Sequence, residues 1–548
     1  MQRMRIPFLV LVISYAIAMT GLLLIDGIDT NGNPYQMSIF DAFYFVTYTA
    51  STIGFGETPY PFTYSQKLWV SFVIYIVVLG WFYSIGTLVN ILRDKLFLLE
   101  LQKSKFMRNV KNIKQKYIII LGFSYTTKKI IEKSLQQGIR TVVIEKNEQK
   151  VDQLLLENFK PHVPVLIADA FNPKALELAG IKSSYCKAVV SLFEDEALNL
   201  RIALTSRLLN KHIIVAAKST TTNHTENLYD AGVKIVENPF EIIASQINMA
   251  IKAPNLLKLE NWIHNITTLE ESFQQFPTGK YIICGYGRMG HSIHKIFEKT
   301  NISSTFIEID NSKLISLPKN TKPNILIGDA DDKDMLLSAG IKDADVVIAG
   351  TNNDTINLSI LTTAKKLNPN IMTIARENEL DDFSIFNNAN IKHILMPSRI
   401  LIYKITNALI NPLSDKFIKI LGLQDEKWAS SLAKTLIQKV NNNPILYELT
   451  INNKYAPQIY NDLPLAILKV SLRNCNQYNN IVALLLVRDE EKHILLPDDN
   501  IKLQKDDKIL FALDQNAKDD LEYICQNIYE FHYALTGKEK FILKNKGI

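Results

Sequence analysis

The chain has 548 residues, of which 47% are hydrophobic and 21% charged, and its formal net charge is +6. That length suits three or four domains, and the composition alone neither demands nor excludes a membrane portion. Cys186, Cys284, Cys475 and Cys525 lie far apart with no C-x-x-C pairing, so they read as reduced, buried thiols and not as a disulfide framework.

Ile6 to Ile25 is a charge-free stretch of 20 residues. As a helix it would cover about 30 Å, the thickness of a bilayer's hydrocarbon core. A second charge-free stretch runs from Leu68 to Leu92, and beyond it charges recur every few residues. Arg3 and Arg5 precede the first span, while Arg93, Lys95, Lys103, Lys105, Arg108, Lys111, Lys114 and Lys116 follow the second. This bias predicts that both termini face the cytoplasm. It also accounts for most of the net charge as topology and headgroup contact, with no nucleic-acid role. A cleaved signal peptide is the competing reading of the first span, since Ala16-Ile17-Ala18 imitates a cleavage site. Cleavage would strip the following loop of its first flanking helix.

Between the spans, Ser38 and Asp41 form an acidic variant of a capping box ahead of an aromatic run ending at Tyr48, too short to cross a membrane. The run predicts a re-entrant half-helix, tolerated only where protein or an aqueous cavity surrounds it. It leads into Thr52-Ile53-Gly54-Phe55-Gly56, which resembles the T-V-G-Y-G selectivity filter of potassium channels. Glycines at alternating positions let successive carbonyls turn toward one axis. The resemblance implies potassium held by carbonyls of Thr52, Ile53, Gly54 and Phe55, with four loops, hence four chains, around the axis. Phe55 replaces the commoner Tyr and loses a hydroxyl behind the filter, and Glu57 replaces Asp. In the second span, Gly80 and Gly86 are candidate gating hinges, with close helix packing as the alternative.

From Tyr117 onward β-rich runs alternate with helical patterns, and the pattern occurs twice. Gly122, Glu145, Asp169, Asn199, Lys218 and Pro239 match Gly285, Glu308, Asp329, Asn357, Arg376 and Pro397 in order, which indicates tandem copies of one domain. The second copy carries Gly285-Tyr286-Gly287-Arg288-Met289-Gly290 between strand and helix, with Glu308 placed to receive a ribose hydroxyl. This is the dinucleotide fingerprint in its expected context. The first copy reads Gly122-Phe123-Ser124-Tyr125-Thr126-Thr127, so Ser124 and Thr127 replace two of the three glycines and predict a weaker or differently adapted site.

Both copies resemble the RCK (KTN) domains that regulate potassium channels and transporters. That family implies NAD or another adenine nucleotide as ligand at Gly285 to Gly290, Glu308, Asp329 and Arg376, and more weakly at Gly122, Ser124, Thr127, Glu145, Asp169 and Lys218. Calcium is a further candidate, at Asp329, Asp331, Asp332 and Asp334 or at Glu194, Asp195 and Glu196, although solvated loops and helix starts that favour acids are the simpler explanation of both runs. Leu495 to Ala512 resembles the family's small C-terminal ligand domain.

The expected architecture is therefore multidomain: an α-helical pore of two membrane helices and a re-entrant loop at 1–95, a linker at 96–116, and Rossmann-like RCK domains at 117–250 and 280–410. A connecting segment fills 251–279, a small α+β domain with its connecting helix fills 411–515, and a tail covers 516–548. The implied assembly is a homotetramer with eight RCK domains in a cytoplasmic ring beneath a prokaryotic cell membrane, gated by nucleotide. Two alternatives compete: a membrane-anchored NAD-dependent oxidoreductase, and a regulatory subunit of a potassium transport system. The nine histidines form no recognisable acid/base pairing that would serve hydride transfer.

Overall fold

Three apolar helices make up most of an N-terminal unit, Met1–Asn109, and the rest of the chain forms a second unit, Val110–Ile548. The structure is a computed structural model that describes residues 2–271, 275–312, 324–378, 386, 389, 391–452, 463–489 and 492–539. Parts of the expected connecting segment (272–274) and tail (540–548) lie outside the described residues.

The helices are α1 (Gln2–Leu24), α2 (Ile39–Ala50) and α3 (Tyr64–Arg93), with a small hairpin of β1 (Gly27–Ile28) and β2 (Pro34–Tyr35) before α2. Helix α2 starts where the sequence predicts: the Ser38 hydroxyl accepts from the Asp41 amide at 3.1 Å and donates to the Asp41 carboxylate at 2.6 Å. Ala18 and Leu22 of α1 share a core with Ala42, Phe45 and Val46 of α2 and Val73 and Val77 of α3. Gly21 lets the Trp69 indole cross close to α1, since a Cβ there would lie 2.0 Å from the ring, and the indole N–H donates to the Ala18 carbonyl at 3.2 Å. Only 22% of the first span's apolar window and 17% of the second's are buried, the reverse of a soluble protein's core helix. Through Ala18 and Leu22 the first span is built into the core of this unit. The basic stretch expected as a linker is itself helical, α4 (Lys95–Lys111), because Lys, Arg, Leu and Glu are all good helix formers.

The second unit holds two parallel six-stranded sheets. In chain order the first contains β3 (Tyr117–Leu121), β4 (Arg140–Glu145), β5 (Val165–Ile167), β6 (Cys186–Ser191), β7 (Ile214–Lys218) and β8 (Ile235–Glu237). The second contains β9 (Tyr281–Cys284), β10 (Ser304–Glu308), β11 (Asn324–Ile327), β12 (Val346–Ala349), β13 (Met372–Arg376) and β14 (His393–Leu395). Their spatial orders, β5-β4-β3-β6-β7-β8 and β11-β10-β9-β12-β13-β14, are the same doubly wound arrangement. Runs such as Tyr-Ile-Ile-Ile-Leu in β3 are buried throughout because helices cover both faces.

The helix that closes each repeat packs on the other repeat's sheet. Phe240, Ile243, Ile247 and Ile251 of the helix Pro239–Lys252 join a core with Ile283, Met289, Ile293 and Phe306. Reciprocally, Leu401, Ile402, Ile405 and Leu409 of the helix Pro397–Ile410 pack against Ile118, Ile120, Val143 and Val190.

The C-terminal domain is an antiparallel sheet of order β15-β20-β18-β19, formed by β15 (Ile445–Thr450), β18 (Ile481–Arg488), β19 (Lys492–Leu495) and β20 (Lys508–Leu513), with a two-stranded pair, β16 (Val470–Ser471) and β17 (Asn474–Tyr478), beside it. The expected tail does not stand apart from this domain. Ala517, Leu521, Ile524, Cys525 and Phe531, on helices Gln515–Gln526 and Ile528–Thr536, complete the core around Leu449, Ile509 and Phe511. Their period of three to four apolar positions is an amphipathic helix's stripe, which the sheet's exposed face requires.

Candidate functional site

Helix α2 leads directly into the loop expected to form the filter. The Thr52 amide donates to the Thr49 carbonyl at 3.1 Å and the Ile53 amide to the Tyr48 carbonyl at 2.9 Å, so the helix unwinds into the loop without a break. Thr52, Gly54 and Gly56 have φ of 60°, 67° and 99°, alternating with Ile53 and Phe55 at negative φ. Two glycines make the left-handed positions accessible, and the alternation aligns successive carbonyls on one side of the strand. An added Cβ at Gly54 or Gly56 would meet nothing within 4 Å, so conformation and not crowding calls for glycine there. The two candidate hinges differ: a Cβ at Gly80 would lie 3.0 Å from the Ser14 hydroxyl of α1, whereas one at Gly86 would meet nothing within 4 Å. Close packing therefore explains Gly80, and Gly86 is the position without a packing reason.

In the second repeat the three glycines have distinct reasons. Gly285 leaves β9 at φ 101°. At Gly290 a Cβ would lie 2.3 Å from the Gly285 carbonyl, so only glycine lets helix Arg288–Thr300 pack this close. Gly287 is the N-cap, has no side-chain cap, and opens onto space where a Cβ meets nothing within 4 Å. Free backbone amides at a helix N-terminus facing open space suit a phosphate. The side chains of Tyr286 and Met289 are buried in the core, which leaves only their backbone to a ligand. Glu308 accepts from the Tyr286 amide at 2.6 Å and the Asp310 amide at 3.0 Å, so it shapes the glycine turn as well as lying where a ribose would come. Arg376 donates to Asn352 at 2.9 Å, and its Nε is buried without a hydrogen-bond partner. Burial, then the charge of Arg288, lowers its guanidinium to about 10, still cationic at neutral pH. Open space at Gly287 and an unsatisfied guanidinium nitrogen both fit an anionic nucleotide.

In the first repeat the corresponding helix start is capped by its own side chains. The Ser124 amide donates to the Thr127 hydroxyl at 2.8 Å and the Thr127 amide to the Ser124 hydroxyl at 3.4 Å, a reciprocal capping box that uses the amides a phosphate would need. Phe193 lies over Gly122, 2.8 Å from a Cβ placed there. Glu145 repeats the role of Glu308, accepting from the Phe123 and Asn147 amides. A cavity of about 270 Å³ is nonetheless present, lined by the loop residues Gly122, Ser124 and Thr127 together with Glu145, Lys150 and Asp169. It spans both the loop and the acidic strand ends of the first repeat, so self-capping alters the amides available there without filling the site.

Sequence reasoning missed the link between the repeats. Glu194 of the first repeat pairs with Lys218 of that repeat and lies 3.6 Å from Arg288 in the second repeat's glycine loop. Burial works to raise the Glu194 carboxyl, but Lys218 and Arg288 hold it below its ordinary value. Arg288 and Arg376 both stack on Phe240, at 4.7 and 5.2 Å, and Phe240 comes from the exchanged helix. The matched asparagines tie each sheet's switch point together: Asn199 donates to the Phe193 and Lys218 carbonyls, and Asn357 to those of Thr351 and Arg376. Five of the seven acids considered for calcium are otherwise engaged. Asp195 and Asp332 cap helices, Asp329 accepts from the Asp331 amide, Glu196 accepts from Thr220, and Glu194 is ion-paired.

Comparison with known proteins agrees with this geometry. The ion-channel family model matches residues 7–94, and the TrkA-N domain model matches 118–239 and again 281–397. Potassium channel protein 1 of Methanocaldococcus jannaschii is 24% identical over 327 residues, 59% of this chain and 92% of that one. The probable potassium channel protein 2 of the same organism is 31% identical over 170 residues, 30% of this chain and 46% of that protein. Among solved structures the GsuK channel shares the fold, with a TM-score of 0.53 at 15% identity over 98% of this chain and 100% of that one. A GsuK channel bound to NAD gives 0.52 at 14%, covering 95% and 99%. One polypeptide thus joins an ion-channel segment to two TrkA-N domains, which is the make-up of a potassium channel with RCK (TrkA-N) domains.

Proposed function

We propose that the chain is one of four identical subunits of a potassium-selective channel gated by an adenine nucleotide, NAD or a relative of it, bound mainly at the second repeat. The observation that carries this reading is the combination, in one chain, of a filter backbone alternating in handedness at Thr52, Gly54 and Gly56 with an uncapped glycine-loop helix at Gly287. Rings of carbonyls from Thr52, Ile53, Gly54 and Phe55 replace the ion's hydration shell, and four loops are needed to close each ring. When bound, the nucleotide supplies negative charge and a rigid bridge between helix and sheet. Gly287 admits its phosphates to the helix N-terminus, Arg288 and Arg376 neutralise them, and Glu308, with Asp329, faces the ribose side. The self-capped first site, with Gly122, Ser124, Thr127, Glu145, Asp169 and Lys218, is the weaker one.

On this reading both termini and the α/β unit lie in the cytoplasm of a prokaryotic cell, and eight RCK domains form a ring. The domain boundaries are those read from sequence, with the C-terminal domain extended through Thr536. Gly86 is the hinge candidate in α3. A ligand biases the pore only by favouring one ring shape over another. Purified channels in planar bilayers test the whole reading: the reversal potential should follow the potassium gradient, and NAD or ADP added to the cytoplasmic side should change open probability. A reversal potential near zero in a potassium/sodium gradient would end the selectivity claim, and indifference to both nucleotides would end the gating claim.

A further inference from the structure

Phe55 deprives the filter of a hydroxyl at its own aromatic position, and the half-helix supplies one from the other side. Tyr48, in the last turn of α2, is 4% exposed. Its hydroxyl donates to the Gly56 carbonyl at 2.5 Å and meets the Thr58 hydroxyl at 3.1 Å. The ring is held edge-on by Tyr44 at 5.2 Å, by Phe45 at 5.3 Å and by Phe55 at 5.6 Å, and Tyr44 also stacks against Phe55 at 6.3 Å. Packing thus fixes the phenol before its oxygen reaches the filter, which leaves little rotamer freedom to lose when the bond forms.

We propose that Tyr48 is the positioning residue that braces the outer end of this filter, standing in for the hydroxyl that Phe55 lacks. The Gly56 carbonyl is committed to Tyr48, so the ion rings are those of Thr52, Ile53, Gly54 and Phe55, and the loop cannot slacken at Gly56 without breaking this half-buried hydrogen bond. With that donor gone, the alternating backbone behind Gly56 would lose its outer anchor. This inference rests on the potassium-channel reading.

The test compares full-length parent, Tyr48→Phe, Thr58→Val and the double variant Tyr48→Phe/Phe55→Tyr as purified oligomers in bilayers. Two filter-specific readouts are taken: the potassium-to-sodium permeability ratio, and the decay of current during sustained opening at low external potassium. A packing defect alone would lower oligomer stability and leave both readouts unmoved. Tyr48→Phe should assemble as the parent does, yet lose selectivity and decay faster by roughly fivefold, the weight of one hydrogen bond. Returning a hydroxyl at Phe55 should recover part of the loss, and Thr58→Val should shift both readouts in the same direction by less. Parent-like selectivity and decay in Tyr48→Phe would overturn the brace. Should that variant fail to assemble, Thr58→Val, which keeps the ring, decides: faster decay supports the brace and parent-like behaviour overturns it. A parent whose own reversal potential lies near zero would instead mark failure of the channel reading.

Discussion

Gly287→Asp separates binding from folding more cleanly than any other substitution in this chain. Gly287 has φ −76°, which any residue adopts, and a Cβ there meets nothing within 4 Å. Asp is also a better N-cap than Gly by a few tenths of a kcal/mol, so the ligand-free protein should melt at the parent's temperature or slightly above it. The nucleotide meets the opposite situation. A carboxylate about 4 Å from one phosphate charge, at the effective dielectric of a protein surface, costs about 4 kcal/mol, which is roughly a thousandfold in Kd. Isothermal titration of NAD and of ADP into the detergent-solubilised channel should therefore show binding lost from the accessible range, while Gly287→Ala, which adds bulk without charge, loses less. Binding within threefold of the parent in Gly287→Asp would refute the phosphate assignment. Loss of binding in Ser124→Asp with Gly287→Asp spared would transfer it to the first repeat.

Removing the counter-charge on Arg288 by Glu194→Gln should tighten nucleotide binding by about two- to fivefold, the range of a partly exposed ion pair, in the same titration; weaker binding would show that Glu194 helps the ligand and does not compete with it. A flexible Gly/Ser insertion after Met107, within the helical link α4, should leave selectivity and nucleotide affinity intact and flatten the nucleotide dependence of open probability; an equally steep response would rule out coupling through this link. The last prediction concerns pH. Burial raises the Glu237 carboxyl from 4.5 to about 7 and lowers the His264 imidazole from 6.5 to about 4. Folded Glu237 keeps its proton longer than the unfolded chain does, so its contribution is full below pH 4.5 and is lost as pH rises through about 7. Folded His264 resists protonation, so its contribution is full above pH 6.5 and is lost as pH falls through about 4. The two slopes oppose each other over overlapping windows. Glu237→Gln should unmask the His264 slope, seen as a melting temperature that drops more steeply than the parent's between pH 6.5 and 4.5; parallel curves would refute this.

What the sequence disclosed was whatever depends on neighbours along the chain. A charge-free run has a length, a glycine loop has a spacing, and a repeat has an order, so the two spans, Thr52 to Gly56 and Gly285 to Gly290 were all legible. The contacts that join distant segments were not. Tyr48 looked like one more aromatic in a half-helix, because nothing local says that its hydroxyl ends at Gly56. Phe193 gave no sign of covering Gly122, although the loss of two glycines at Ser124 and Thr127 hinted that the first site differs. The helix Gln515–Gln526 read as a tail because its apolar stripe has a partner only once the C-terminal sheet is folded. Glu194 stood in an acidic run that suggested a cation, and its actual partners, Lys218 and Arg288, lie 24 and 94 positions further along the chain.

The exchange of closing helices has a consequence for how the sensor could be taken apart. Neither repeat is a self-contained module: a fragment ending near His264 would carry Pro239–Lys252 with its apolar stripe uncovered, and would lack the Leu401, Ile402, Ile405 and Leu409 layer over its own sheet. Expressed separately, each half would expose core residues and aggregate. Expressed together, the halves present complementary sticky faces, and they should find each other and restore both cores without a peptide bond between them. The same interlock makes the pair move as one body, since neither sheet can turn without carrying the other's helix with it.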